Sequence, residues 1–368
     1  MAIQIRGVDG SEPSGALARL RYDVYVREFG RRLPGCDDEQ GLLVEAEDGV
    51  STHFAAFDGD SPVACLRLTP IDALAGDSRW RGNYEVGAFP VPEPRQAVLS
   101  RLVVRGDHRD TLLAPQLLAA AYDAFRSAEG ELLYLRCAAN MVSLYEVMGF
   151  RRYRAGSVDG EGGFRLPMVM ITGDWPYFEA VKSPLLDNVQ QHAPNVTLGD
   201  WFEQRFPEHA RPASVRVLGR EQFLRSFAAR MNDAGIPLLD DLDGDEKEHL
   251  FLAAGHEDVA AGDVVLRKGE AGSAMYLVLD GAIEVRDERR GQSRVLGTLG
   301  AGQLFGEAGF LMNTPRSADV VAIADTHLVV LDQPAFAKLS AQHPSVALKV
   351  MRNLCRTLCL RLYAHNAG

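Results

Sequence analysis

A chain of 368 residues, 46% hydrophobic and 24% charged, is too long for one typical core, so two folded units are expected. A net charge of −11 with no Lys/Arg-rich block argues against a nucleic-acid partner, because a surface that tracks phosphates needs a basic field. The five cysteines (Cys36, Cys65, Cys137, Cys355, Cys359) are odd in number and scattered, no apolar run reaches bilayer length, and the N-terminus has no charged-then-apolar signal; a cytoplasmic protein is the expectation.

In chain order, "GALARLRYDVYVREFG" (15–30) reads as an amphipathic helix closed by Gly30. "STHFAAFDGDSPVACLRLTP" (51–70) reads as two strands around a tight turn. "AVLSRLVV" is a strand, "TLLAPQLLAAAYDAFRSAEG" a helix stopped by Gly130, "ELLYLRCA" a strand, and "MVSLYEVMGF" a short helix ending at Gly149. A hairpin followed by strand–helix–strand–helix gives an α+β fold, an α/β-like mixed sheet with flanking helices, over residues 1–190. Residues 191–235, with the helical pieces "LGDWFEQRF" and "GREQFLRSFAARMNDAG", read as a tail and linker.

From 236 to 368 the texture changes. A helical lead-in precedes short β-rich runs punctuated by glycines, the pattern of a small antiparallel β-roll with helices. The last helix carries Val350, Met351, Leu354 and Leu358 as one apolar stripe, which Cys355, Cys359 and Leu362 widen. Those two cysteines read as small buried apolar residues, since neither has a companion at metal-ligand spacing. "DDLDGDEKEHL" imitates a calcium loop but has Leu239 and Leu250 at its first and last ligand positions, so it is rejected.

"FGEAGFLMNTPRSADVV" (305–321) places one carboxylate, Glu307, nine residues before one guanidinium, Arg316. Backbone N–H groups in Gly306–Gly309 suit an anion, Arg316 suits a phosphate, and Glu307 suits a sugar hydroxyl. Phosphate and ribose so close together describe a cyclic nucleotide. The segment 236–363 resembles cyclic nucleotide-binding domains, through "RKGEAGSAMYLVLDGAIEV" and the phosphate-binding cassette "FGEAGFLMNTPRSADVVA". The resemblance implies that Glu307 takes the ribose 2′-hydroxyl and Arg316 the exocyclic phosphate. Gly306 and the amides near Ala308, Ser317 and Ala318 would assist. Ser317 leans toward cAMP over cGMP, Gly309 stands where the family has Ala or Ser, and Leu360, Leu362 and Tyr363 are candidates for the purine lid. The plain alternative is a roll that binds nothing, with Glu307 and Arg316 as an ion pair.

The ligand must then act on the first 230 residues, which resemble the GNAT acetyltransferase superfamily through "LSRLVVRGDHRDTLLAPQLLAAAYDAF" and "NMVSLYEVMGFRRY". That resemblance implies an acyl thioester donor held near Leu102, Val103, Val104 and Arg109. Strand N–H groups would bind the oxyanion and Tyr145 would protonate the departing thiolate. The turn "HRDTLLAP" lacks the family's glycines, which disfavours close approach of a pyrophosphate and leaves acyl carrier protein beside acyl-CoA as donor. A narrower resemblance, through "RYDVYVREFG", "EAEDGVSTHFAAF", "VACLRLTP" and "LSRLVV", is to acyl-homoserine-lactone and long-chain N-acyl amino acid synthases. Arg21, Glu45, Asp48, Arg67, Ser100 and Arg101 fall on its pattern; Val98 replaces a Glu of the lactone branch. Glu45, Glu47 or Asp48 could take an amine's proton, and Arg67 and Arg101 could hold an amino acid's carboxylate. Structural salt bridges are the plain alternative for the arginines, and a core aromatic for Tyr145; His53 and His108 read as surface or capping residues. The expectation is a nucleotide-regulated N-acyltransferase in bacterial signalling, its terminal helix packing on the acyltransferase or forming a homodimer. A cAMP-regulated protein-lysine acetyltransferase and a catalytically dead scaffold are the alternatives.

Overall fold

Continuous apolar runs in Thr52–Asp58 and Ser61–Pro70, buried on both faces and joined by a two-residue turn, give the hairpin around which the first unit is built. The computed structural model describes residues 3–9, 15–29, 31, 33–74, 78–109, 111–138, 141–154, 157–159, 163–210, 236–289 and 292–366. Its first ten strands are β1 (Gln4–Asp9), β2 (Cys36–Asp37), β3 (Leu42–Leu43), β4 (Thr52–Asp58), β5 (Ser61–Pro70), β6 (Gln96–Val104), β7 (Leu132–Cys137), β8 (Phe150–Arg152), β9 (Ser157–Asp159) and β10 (Gly163–Ile171). The main sheet runs β1-β4-β5-β6-β7-β10-β8 with β9 beside β10, and β2 and β3 pair separately. Every pair is antiparallel except β6 with β7. A parallel pair needs a crossover, and the helix Leu113–Ser127 supplies it, laying Leu117, Ala121 and Tyr122 on the sheet.

Two irregularities mark β6. Its pairing with β7 covers only Gln96–Val98 against Leu132–Tyr134. Beyond that register β6 pairs with β5, and β7 with β10, so the two parallel strands part. On its other side β6 carries a bulge: Arg67 pairs with Ser100 and Cys65 with Val103, so Leu66 faces both Arg101 and Leu102. Arg101 sits at φ 55°, in the left-handed region that residues other than glycine rarely adopt.

The chain that reads as a tail is docked. Val196–Arg205 is a helix whose Leu198 and Phe202, with Phe206 beyond it, join Phe89, Tyr134 and Tyr153 in a second core behind the sheet. The piece "GREQFLRSFAARMNDAG" lies outside the described residues.

The second unit is an antiparallel β-roll. Its strands are β11 (Gly255–Val259), β12 (Val264–Leu266), β13 (Met275–Asp280), β14 (Ala282–Arg289), β15 (Gln292–Gly300), β16 (Leu304–Phe305), β17 (Asp319–Ala322) and β18 (Thr326–Leu331). They form the sheets β11-β18-β13-β16 and β12-β17-β14-β15. Helices Gly244–Ala253, Gln333–Gln342 and Pro344–Asn366 close one side over Leu250, Met275, Leu277 and Val329. The closing helix turns Val346, Ala347, Val350 and Leu354 inward. Cys355 and Cys359 are therefore exposed rather than buried, and Leu360 and Leu362 with them, because the apolar stripe is narrower than its sequence suggests. The side chain of Tyr363 lies outside the described residues.

Candidate functional site

The roll's candidate site is built around one buried cation. Gly306, at φ 77°, turns the chain from β16 into the short helix Glu307–Met312. The first turn of any helix leaves N–H groups without intrahelical partners, here at Glu307, Ala308 and Gly309. Arg316 is 7% exposed, and its Nη1 donates to the carbonyls of Ala274 (2.9 Å) and Gly306 (3.0 Å). No carboxylate of the described residues pairs with it. Glycines crowd the guanidinium. A Cβ at Gly272 would stand 2.6 Å from its Nη2, one at Gly306 3.0 Å from Nη1, and one at Gly309 2.7 Å from Nη1 and against the Gly272 carbonyl. The glycine at 309 thus lets this loop close on the arginine without the backbone shift that an alanine would require. Glu307 and Arg316 are not an ion pair: Glu307 accepts from Arg361 of the closing helix at 2.7 Å, and Arg361 also donates to the Leu304 carbonyl. Ser317 is exposed and Ala318 buried, directly before β17.

In the first unit, five of the residues singled out by sequence form one ion network at the β6 bulge. Arg21 donates twice to Asp48, at 2.7 Å each. Arg67 reaches Asp48 at 2.8 Å, Glu45 at 3.0 Å and the Ser100 hydroxyl at 3.1 Å. Arg101 grips both oxygens of Glu45, through Nε at 2.6 Å and through Nη2. Glu45 also caps the turn Ala46–Val50, with Asp48 accepting from its backbone N–H. Arg21 and Arg67 are each 1% exposed. Burial raises the Asp48 carboxyl, but Arg21, the backbone N–H of Glu45 and Arg67 more than offset it and hold Asp48 well below the carboxylate range. Glu45 is likewise lowered, by Arg101 and Arg67 against burial. Neither is therefore a free base, and Glu47 is turned to the Trp80 indole N–H at 3.0 Å. His53, read from sequence as a surface or capping residue, is 3% exposed with Nε2 at 3.4 Å from the Asp48 carbonyl; burial keeps its ring neutral. His108 pairs with Asp107 at 2.6 Å.

Leu102, Val103 and Val104 lie on β6 beyond its last pair with β7, at the edge of the strand opening. Arg109 donates to the Val104 carbonyl at 2.9 Å, pairs with Glu28 and lies 4.8 Å over the Phe29 ring. Tyr145, on the helix Val142–Met148, meets Phe150 edge-on at 5.7 Å. Burial pushes its hydroxyl well above the ordinary tyrosine value, with Cys137 and Tyr25 adding to the rise. Tyr25 in turn lies under Arg101, 5.7 Å from guanidinium to ring. Tyr25 thus interacts with both Arg101 and Tyr145. The helix after β6 begins at Leu113 and has Pro115 in its first turn, so one N–H that could face a phosphate is missing.

Sequence reasoning missed three features of these sites. The parting of β6 from β7 is a tertiary pairing with no local signal. Arg361 carries no mark in a helix rich in arginine. Tyr25 sits in a helix whose amphipathic pattern accounts for it already.

Comparison with known proteins divides the chain in the same way. Residues 256–343 match the family described as the cyclic nucleotide-binding domain, and residues 20–119 the acetyltransferase (GNAT) domain. A cAMP-dependent protein kinase regulatory subunit of Blastocladiella emersonii is 38% identical over 29% of this chain and 27% of its own. Glutaminase 2 of Bradyrhizobium diazoefficiens is 38% identical over 35% of this chain and 20% of its own. A solved structure, the catabolite activator protein of Thermus thermophilus, is 31% identical over 35% of this chain and 60% of its own, with a TM-score of 0.33. The chain spans about a third or less of the length of the curated relatives it matches. A GNAT-type acetyltransferase domain is therefore followed by a cyclic nucleotide-binding domain.

Proposed function

We propose that the protein is an N-acyltransferase under the control of a cyclic nucleotide, with cAMP the preferred ligand. The observation that carries the reading is Arg316: a buried guanidinium that, among the described residues, bonds two carbonyls and pairs with no carboxylate is a cation built to receive an anion. On this reading Arg316 and the amides of Gly306, Ala308, Ser317 and Ala318 take the cyclic phosphate, and Glu307 takes the ribose hydroxyl now competing with Arg361. The domain limits 1–190, 191–235 and 236–368 are part of the same proposal.

The acyl thioester enters the opening between β6 and β7. Edge N–H groups at Leu102–Val104 receive the carbonyl oxygen as charge develops on it. The neutral amine attacks the carbonyl carbon, the carbon–sulfur bond breaks, the thiolate takes the proton of Tyr145, and the proton shed by the attacking nitrogen passes through water to the tyrosinate, restoring the protonated Tyr145 that burial favours. Glu45 and Arg101 line the acceptor's side, the arginine facing a carboxylate on an amino acid. Asp48 and Arg67, sealed inside the network, hold these two in position. Pro115 and the glycine-free turn favour a donor gripped by its pantetheine arm, whether on coenzyme A or on a carrier protein. Five free cysteines fit a reducing cytoplasm, and no described helix is long and apolar enough to cross a membrane. The exposed Leu348, Leu360 and Leu362 of the closing helix are where we place a homodimer contact.

The test is thiol release from acyl-CoA donors of graded chain length, with a mixture of amino acids as acceptor, with and without cAMP. A cAMP-dependent change in rate, with label appearing in an extractable N-acyl product, supports the reading. Label transferred to protein would point to lysine acetylation. No transfer from CoA or carrier-protein donors, with no donor binding, would leave a dead scaffold.

A further inference from the structure

The closing helix packs within its own unit among the described residues, so it does not make the contact through which a bound nucleotide would reach the acyltransferase. That contact lies on the opposite sheet. Ala282 and Ala324 of the roll are continuous with the core of the first unit that contains Val142, Leu144 and Met148. At its centre Arg152, the last residue of β8, donates to Glu284 of β14 at 2.6 Å. Both are 7% exposed, and Glu146, 5% exposed, stands 3.6 Å from the Arg152 Nε. That Nε is buried with no hydrogen-bond partner. Arg286 holds the other oxygen of Glu284 at 2.8 Å.

Both ends of this cluster lead to a site. β14 pairs with β17, Glu284 opposite Val321 and Arg286 opposite Asp319, and β17 begins three residues after Arg316. Asp319 also accepts from the backbone N–H of Lys268, whose ammonium holds Asp287 of β14 at 2.5 Å. On the other side, Glu146 is the residue after Tyr145, and Arg152 follows that helix by one turn at Gly149 and two strand residues.

Resting on the regulatory reading proposed for this chain, we infer that Arg152, shared between Glu284 and Glu146, is the joint by which nucleotide binding at Arg316 repositions the helix carrying Tyr145. The joint has two arrangements. In the one seen here Arg152 bonds one oxygen of Glu284 through Nη1 and leaves its Nε open. A shift of about 0.7 Å would bring that Nε to the ~2.9 Å of an ordinary N–H···O bond with Glu146. A buried, half-satisfied ion cluster between rigid elements is the kind of bistable contact that a sub-ångström displacement can switch. Arg152 and Glu284 are positioning residues and touch neither substrate nor nucleotide. For the joint to work, cAMP must bind the two arrangements with different affinity.

Hydrogen–deuterium exchange on the full chain, with cAMP as the probe, tests the joint apart from the nucleotide site. In the wild type, cAMP should alter exchange both in residues 305–322 and in residues 142–152, the latter by about fivefold or more. Glu284→Gln should still bind cAMP and keep the response at 305–322 but lose it at 142–152. Arg152→Lys, whose single ammonium cannot serve both carboxylates, should lose it in the same way if the first variant folds poorly. A wild type that responds only at 305–322 overturns the joint and leaves the nucleotide site standing. A wild type that responds at neither place overturns the nucleotide reading itself. Loss of both responses in Glu284→Gln would reduce Glu284 to support of the roll and also overturn the joint.

Discussion

Arg316 and Asp48 are both partners in buried charge, but with opposite meanings. Arg316 pairs with no carboxylate among the described residues, and Arg316→Ala should weaken cAMP binding by about 2–5 kcal/mol, the effect of deleting one side of a buried charge pair. Asp48 is surrounded by Arg21 and Arg67. Asp48→Asn should cost about 3–5 kcal/mol in urea unfolding by leaving two buried guanidinium groups underpaired. Glu146 makes a third case. Burial pushes its carboxyl up to about 7 from 4.5, against the pull of Arg152. A carboxyl raised on folding binds its proton more tightly in the native state, so stability falls as pH rises from 4.5 to about 7. The full fall is about 3 kcal/mol. Unfolding at about pH 5 and about pH 8 should therefore show a steeper difference in the wild type than in Glu146→Gln; equal slopes would mean that Glu146 ionises normally.

At the scale of elements, legibility followed locality. The cassette could be read from sequence because its chemistry is contiguous: Gly306, Glu307 and Arg316 lie on one turn, one short helix and the loop after it. The hairpin β4–β5 and the crossover helix could be read because their patterns are local. The opening between β6 and β7 could not, since it depends on where two strands stop pairing. The ion network was half legible: its residues were singled out, but that Arg67 is enclosed while Arg101 stands at a bulge is a property of register. Cys355 and Cys359 were misread because a helix rich in leucine offers several candidate faces and only packing selects one. Gly309 shows how one position can alter an element. Gly309→Ala places a Cβ against the Gly272 carbonyl and 2.7 Å from Arg316, so calorimetry should find weaker cAMP binding with the acyltransferase fold intact. Undiminished affinity would mean that the loop yields freely.

At the scale of the molecule, among the described residues the two units meet through alanines and a buried ion cluster rather than through the long closing helix. Small residues at Ala282 and Ala324 let the roll's backbone approach the core beside Tyr145 closely. That geometry suits transmission of small displacements. Linkage then requires reciprocity: whatever factor cAMP contributes to donor binding, the donor must contribute to cAMP binding. Equilibrium binding of cAMP with and without a saturating donor should show the same factor as donor binding with and without cAMP.

The central claim is that this chain binds a cyclic nucleotide through Arg316, and titration calorimetry of the full chain with cAMP, cGMP and the Arg316→Ala variant tests it most directly. Binding of cAMP at micromolar or tighter affinity, weaker for cGMP and lost in the variant, is the predicted result. Heat of binding absent from the wild type, or unchanged in Arg316→Ala, would contradict it.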